Sequence, residues 1–352
     1  MSSTEPENTA SPRFLDRPVV AKARRYFPVV AFVCGFLWDA ITLGNQIKPS
    51  DLFILLGYLA GAAAILTMIG RGVTFRGSQY LNTVLQFFFG GIFSALFIFY
   101  FLSSSDLPGY LFVIGLAALL IGNEFLESAY SELTLSWAFF TLSAIMFFNF
   151  ALAHLFHSVS TFWFYLGTLI AALLVVGLRQ LSRHDSASIK PSIVLALLVL
   201  VLHFFNVIPP VPLVKKEILV AHDLRKEGNH YVGAIESPGW RFWRSSAPVF
   251  HRKAGERVYC FTSVFAPNGI ETTIRHRWQR YDANREEWLE AGTVPVHIAG
   301  GRRGGYRALS YKSNATPGLW RVIAEAESGA AIGIVLFEVE IGDRARPKSV
   351  KL

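Results

Sequence analysis

Four ionisable side chains interrupt otherwise apolar stretches of the chain: Asp39, His154, His157 and His203, the last followed by Asn206. An ionisable group inside a bilayer costs about 2.5–3.5 kcal/mol on insertion scales, so it usually faces a cavity or a partner. All four fall toward the same end of their apolar runs, the outer end in the topology derived below. His154 and His157 are spaced i, i+3, which puts them on one helical face, as two ligands of one metal would be. His203 or Asp39 would then supply a third ligand. The competing reading is that interfacial His residues are wetted and Asp39 hydrogen-bonds a neighbouring helix; two His without a fixed third ligand define no metal site. Glu124, Glu127 and Glu132 cluster between two apolar runs, with no Lys or Arg beside them. They read either as an ion or proton entry point or as a solvated turn.

Two basic segments follow in the polar part of the chain. In Gly300-Gly-Arg-Arg-Gly-Gly-Tyr-Arg307 the glycines free backbone N–H groups, while Arg302, Arg303 and Arg307, with Tyr306 among them, supply donors suited to phosphate or carboxylate. Lipid phosphate, anionic polysaccharide and peptidoglycan all qualify. No Gly-Lys-Ser/Thr follows, so the segment is not a P-loop, and a plain strand connection accounts for the glycines equally well. Trp240-Arg-Phe-Trp-Arg244 places Trp240 and Trp243 beside Arg244, a mixture suited to a membrane interface or to stacking on sugar rings. Burial of both Trp is the alternative, and Trp278 and Trp320, on alternating segments, read as core. No nucleophile constellation emerges. Ser310 and Ser313 lack fixed His-Asp partners, Gly-x-Ser-x-Gly and His-Glu-x-x-His are absent, and Cys260 sits in an apolar strand as a small hydrophobe. No cofactor is expected.

The elements that must position these groups belong to two unlike parts. The chain has 352 residues, 52% hydrophobic and 16% charged, with mean hydropathy +0.39; soluble domains carry about 25% charged residues. Residues 1–212 hold 11 Lys/Arg against 10 Asp/Glu, and residues 213–352 hold 22 against 15, so +7 of the net +8 lies in the last 140 residues. That excludes a single soluble globule and a disordered chain. With only Cys34 and Cys260, it also excludes a disulfide scaffold. Residues 1–25 read as a disordered basic cytoplasmic leader. Seven apolar runs follow, at about 26–44, 52–70, 80–102, 108–122, 133–153, 161–178 and 191–208, most of them near the roughly 20 residues a spanning helix needs. If the N-terminus is inside, inner segments carry Arg13, Arg17, Lys22, Arg24, Arg25, Arg71, Arg76, Arg179, Arg183 and Lys190, whereas outer loops carry Lys48 alone. This is the bias of the positive-inside rule, and it sends the C-terminal part to the far side, away from nucleic acid.

From about residue 213 the pattern becomes short alternating segments between Gly, Pro, Asn and Asp, a strand-and-turn signature. Candidate strands are 257–265, 272–280, 293–298, 306–312, 318–325 and 331–339. The expected fold is therefore an α-helical transmembrane bundle of about seven helices (26–212) followed by an all-β, immunoglobulin-like sandwich (213–352).

Cys260-Phe-Thr-Ser-Val, Ile274-Arg-His-Arg-Trp278, Tyr306-Arg-Ala-Leu-Ser-Tyr-Lys312, Gly318-Leu-Trp-Arg-Val322 and Phe337-Glu-Val339 resemble the domain of unknown function 2914 family over roughly residues 215–341. The helical part resembles a membrane module, domain of unknown function 5924, found before that domain in some proteobacterial proteins. The resemblance implies a bacterial inner-membrane protein with a periplasmic β-domain, and supplies no activity or catalytic residues. The expected partners are the bilayer and, through the C-terminal domain, an anionic lipid, a glycan or an envelope protein. A transporter or channel with a regulatory periplasmic domain, and a membrane-embedded metal-dependent hydrolase, are the alternatives.

Overall fold

The computed structural model describes residues 36–39, 41–43, 49–125, 133–182, 187–228, 230–236, 247–266, 270, 272–298, 305–342 and 347–352. The chain forms two compact units, Met1–Gly44 and Asn45–Leu352. In the first, residues 36–39 and 41–43 are helical, and the Thr42 hydroxyl donates to the Trp38 carbonyl at 2.8 Å.

Among the described residues the second unit begins with six α-helices: α1 (Pro49–Gly70), α2 (Leu81–Ser103), α3 (Leu107–Phe125), α4 (Thr134–Leu155), α5 (Thr161–Ser182) and α6 (Lys190–Phe204). Among them α1, α2, α4 and α5 are long and apolar enough to cross a membrane; α3 and α6 are apolar but shorter. The bundle has apolar surface on both sides. Phe53, Phe87, Ile114, Leu173 and Val194 are all more than 60% exposed, an arrangement suited to lipid rather than water. Inside, Phe89, Phe93, Phe99, Phe140, Phe150, Trp137 and Tyr100 are fully buried, with Phe93 edge-on to Phe139 at 5.4 Å. Glycine sets the close approach of α1 to α2, since a Cβ at Gly91 would lie 2.4 Å from the Tyr58 ring.

Three helices end on a residue in the left-handed region: Gly72 (φ 61°), His157 (φ 52°) and Asn206 (φ 55°). At Gly72 and Asn206 the hydrogen bonds are those of a Schellman cap, with Val73 N–H to Met68 O and Gly72 N–H to Ile69 O, and Val207 N–H to Leu202 O and Asn206 N–H to His203 O. The last apolar run therefore stops as a helix at Phe204 rather than at residue 208.

Eleven strands follow among the described residues: β1 (Val214–Ala221), β2 (Asp223–Glu227), β3 (His230–Ile235), β4 (Val249–Arg252), β5 (Val258–Phe265), β6 (Thr272–Asp282), β7 (Glu287–Ile298), β8 (Tyr306–Lys312), β9 (Gly318–Glu325), β10 (Ala331–Ile341) and β11 (Lys348–Lys351). They form three sheets, β1-β5-β8, β4-β10-β9-β6-β7 and β11-β3-β2. The six expected strands are β5 to β10. A main core holds Ile218, Val220, Cys260 and Val264 from the first sheet with Ile274, Trp278, Trp320, Val322 and Phe337 from the second. The intervening side chains of β1 and β5, Leu219, Ala221 and Phe261, form a separate core with Leu224, Ile235 and Val350 of the third sheet. Because side chains alternate across a strand, the β1-β5-β8 sheet is a middle layer covered on both faces. The third layer lies beyond the two-layer sandwich expected from the sequence.

The β9–β10 turn meets the bundle. The Ser105 hydroxyl, between α2 and α3, donates to the Ala331 carbonyl at 2.9 Å, and Asn206 lies against Gly329. A narrow cleft at this seam is lined by Asn149, Trp163, His203, Pro209 and Ser328.

Candidate functional site

His154, His157 and His203 do not assemble into a ligand set. α4 ends at Leu155, so His157 is not the i+3 partner of His154 on one helical face; its left-handed φ places it in the turn beyond. His203 lies flat on Phe164, ring centroids 3.7 Å apart and planes 8° from parallel, with Tyr165 edge-on. Asp39 belongs to the first compact unit. Among the described residues no group of three or more His, Cys, Asp or Glu is arranged to hold a metal ion. Glu124 lies on α3, whereas Glu127 and Glu132 fall outside the described residues.

The basic segments are sorted by strand topology. Arg302 and Arg303 fall outside the described residues, but the strands they join are fixed: β7 ends at Ile298 opposite Thr272, and β8 starts at Tyr306 opposite Val264. Val264 in turn faces Lys215 at the start of β1, so this connection is rooted at the bundle end of the β-region. Tyr306 is 5% exposed and points into the core, its hydroxyl 3.4 Å from the Ile270 carbonyl. Arg307 points to the opposite face of β8, its guanidinium 5.9 Å from the Tyr231 ring centroid. The two do not form one cradle, because adjacent strand residues face opposite ways. Trp240, Trp243 and Arg244 also fall outside the described residues. Their flanks, Glu236 and Ala247, are joined by a 3.0 Å backbone hydrogen bond at the end of the β-region farthest from the bundle. Proximity in sequence to the last helix does not place that segment at the membrane.

A buried polar network clamps this far end. His222 Nε2 lies 2.8 Å from Glu236 Oε1 and His222 Nδ1 2.9 Å from Glu256 Oε1. Glu236 also engages His251 Nδ1 at 2.8 Å and accepts the His251 backbone N–H at 3.0 Å. His222 stacks on Phe250 at 4.1 Å. The four side chains come from positions spread over 34 residues, with no recognisable spacing, so no sequence motif marks them. Direct N···O distances of 2.8–2.9 Å are hydrogen bonds.

The main core holds a second polar contact, from His276 on β6 to Ser310 on β8, across the two facing sheets. His276 Nδ1 is 2.8 Å from Ser310 Oγ, which also accepts the Trp278 indole N–H at 3.0 Å. Ser310 is thus fixed to one His. Both groups are closed off from solvent, Ser310 3% exposed and His276 0%, and His276 Nε2 is buried without a hydrogen bond among the described residues. Burial pushes the His276 imidazole down to about 4. Cys260 is fully buried and its thiol is pushed up to about 12 by burial, which removes it from thiolate chemistry. Trp278 and Trp320 are core residues, as expected.

The accessible arrangement with preset donors is the outer face of the five-stranded sheet. Register puts Gln279 opposite Arg321 and Tyr281 opposite Trp288. Arg321 donates from Nε to Gln279 Oε1 at 2.7 Å, and its guanidinium lies 4.1 Å from the Trp288 ring centroid. Trp288 packs against Tyr281 at 5.3 Å. Beside them Arg277 pairs with Glu325. Burial outweighs the Arg277 charge in setting the Glu325 carboxyl, which is pushed up. Burial, then the Arg277 charge, holds the Arg321 guanidinium below its usual value. The result is a half-buried guanidinium fixed against an aromatic face, a combination that recognises anions and sugar rings and does no chemistry of its own.

Residues 271–339 match the family described as protein of unknown function (DUF2914). The matched stretch is β6 to β10 and therefore includes the whole Arg321–Trp288 arrangement. The resemblance of the helical part to a membrane module has no counterpart in the match. No curated protein matches the chain. Among solved structures the chain is similar, at 13% identity, to the Pseudomonas fluorescens alkylpurine DNA glycosylase AlkC bound to DNA containing an abasic site analog. The alignment covers 83% of this chain and 82% of that one with a TM-score of 0.19, too low to indicate a shared fold.

Proposed function

We propose that the protein is a non-enzymatic, multi-pass bacterial inner-membrane protein that presents its β-region in the periplasm to bind an anionic or saccharide envelope ligand or an envelope protein. The observation that carries this reading is the Arg321 guanidinium held between Gln279 and Trp288 on the open face of the five-stranded sheet. The bundle interior is rich in aromatic residues and poor in charge, Asp51 near the start of α1 being its buried carboxylate among the described residues, which counts against a hydrophilic transport path. Seven spans require the 36–43 helix, α3 and α6 to cross as well. At 15 residues, α6 extends about 22 Å and crosses with thinning or with its flanking residues at the interface. An immunoglobulin-like topology is supported by β4-β10-β9-β6-β7 facing β1-β5-β8, with a buried Trp on β6 and a Cys on β5, where that fold carries its hallmarks.

The test is saturable binding of the purified full chain to soluble peptidoglycan fragments and a polyuronate. At least tenfold weakening is expected in Arg321→Ala and Trp288→Ala. If the chain binds neither probe and captures no envelope protein, the reading fails. A reporter fused after Val214 is expected to read periplasmic; a cytoplasmic result overturns the orientation.

A further inference from the structure

The bundle end of the β-region carries a feature separate from the sheet face. Strand β1 starts at Val214, ten residues after α6, and its second and third residues are Lys215 and Lys216. The start of β1 is fixed by Val214 opposite Phe265 and Lys215 opposite Val264. The backbone is irregular between Lys215 and Glu217, and this bulge gives the two lysines different surroundings. The stem of Lys215 lies across β10 at Gly333, where a Cβ would come within 2.9 Å of Lys215 Cδ. Lys216 is exposed, with Nζ 5.6 Å from the Phe265 ring centroid. Its stem lies beside Gly305 (φ 83°), where a Cβ would stand 3.0 Å from the Val264 carbonyl. Glycine is thus required where the Arg302–Arg303 connection rejoins the sheet.

This end also meets the helix termini that carry exposed apolar side chains. Leu107, Leu155, Phe162, Phe204 and Phe205 are each more than 60% exposed, and the Ser105–Ala331 bond and the Asn206–Gly329 contact hold the β9–β10 turn against the same ends. A ring of exposed aromatic and aliphatic residues at helix ends marks where hydrocarbon gives way to headgroups. Lys215 follows Phe205 by ten residues.

We infer that Lys215 and Lys216 form a headgroup site for anionic phospholipid, seating the β-region on the leaflet it faces. The stems of both lysines are packed on protein, Lys215 at Gly333 and Lys216 beside Gly305. Lys216 is exposed, whereas Lys215 is half-buried and burial holds its ammonium below the usual value, so Lys216 is the member that reaches phosphate first at an interface. The acidic groups described at this end are Glu217, whose half-buried carboxyl is pushed up by burial, Glu327 on the β9–β10 turn, and, beside Ser105, Asp106, whose carboxylate accepts the Gly109 N–H; Glu325 is tied to Arg277. The inference does not depend on the sheet-face reading, since Arg321 and Trp288 lie on another surface.

The test is native mass spectrometry of the full chain in detergent, titrated with phosphatidylglycerol, phosphatidylcholine or inorganic phosphate. Wild type is expected to retain phosphatidylglycerol in preference to phosphatidylcholine, with inorganic phosphate failing to compete. Lys215→Gln/Lys216→Gln is expected to weaken retention on the order of tenfold, whereas Lys216→Arg keeps it. Near-UV circular dichroism separates lost binding from lost fold. Should the double variant prove misfolded, Lys216→Gln alone, at an exposed site, is expected to weaken retention several-fold. Equal retention by wild type and the folded variant, equal retention of the zwitterionic lipid, or displacement by inorganic phosphate overturns the inference.

Discussion

Acid should unfold the β-region through His276. The imidazole is fully buried, is hydrogen-bonded only through Nδ1, and is pushed from its ordinary 6.5 down to about 4. The folded protein therefore keeps His276 neutral in a range where the unfolded chain takes up a proton. Stability is lost as pH falls through about 6.5, and the loss levels off below about 4. Each unit of difference corresponds to about 1.4 kcal/mol, so by pH 4.5 the loss reaches about 2.5 kcal/mol. For a region of this size that is a fall of about 8 °C in the unfolding midpoint. The assay is thermal unfolding of the full chain in detergent at pH 7 and pH 4.5, followed by near-UV circular dichroism of the buried Trp residues. His276→Phe provides the comparison. That variant is less stable at pH 7, because Ser310 loses its imidazole partner while Trp278 keeps the Ser310 oxygen, but it lacks the titration. Glu217 and Glu325, whose carboxyls burial pushes up, shift stability the opposite way on acidification and cancel in the difference between the two proteins. The gap between wild type and variant should narrow by roughly 8 °C on going to pH 4.5. A constant gap refutes the reasoning.

Ser310→Ala removes the oxygen shared by His276 Nδ1 and Trp278 Nε1. Orphaning two buried groups costs about 2–4 kcal/mol, read as a lowered unfolding midpoint, while Ser313→Ala on the exposed turn leaves the midpoint unchanged. Glu236→Gln disrupts contacts to both His222 and His251 and is expected to destabilise by about 3 kcal/mol, with the chemical-denaturation midpoint as the measure. Cys260, fully buried, should resist maleimide labelling for as long as the β-region is folded and react fully in denaturant.

How far the sequence disclosed this molecule depended on whether its periodicities were clean. Strands β5 to β10 were legible because Ile274-Arg-His-Arg-Trp278 and its neighbours alternate between core and surface. β2, Asp-Leu-Arg-Lys-Glu, looks like a solvated turn, since it buries only Leu224. The start of β1 is obscured by Lys215, Lys216 and Glu217, and its inner half, Ile218 to Ala221, is buried on both faces, which removes the alternation. The boundary of α6 was lost for another reason: Asn206 supplies the left-handed cap that Gly would have announced. The sheet-face site brings together residues 42 positions apart, Gln279 and Arg321, through strand register alone. Nothing local in the sequence encodes that pairing.

The same register separates the flanks of the two basic segments. β1 runs from Val214, ten residues after α6, to the His222–Glu236 clamp in eight residues, a rise of about 26 Å. Glu236 and Ala247, which flank residues 237–246, are joined by a backbone hydrogen bond at that clamp. Tyr306, which follows the Arg302–Arg303 connection, faces Val264 and through it the start of β1. Two segments alike in composition therefore have their described flanks at opposite ends of β1, a separation that neither composition nor distance in sequence from α6 discloses, because it is set by strand pairing alone.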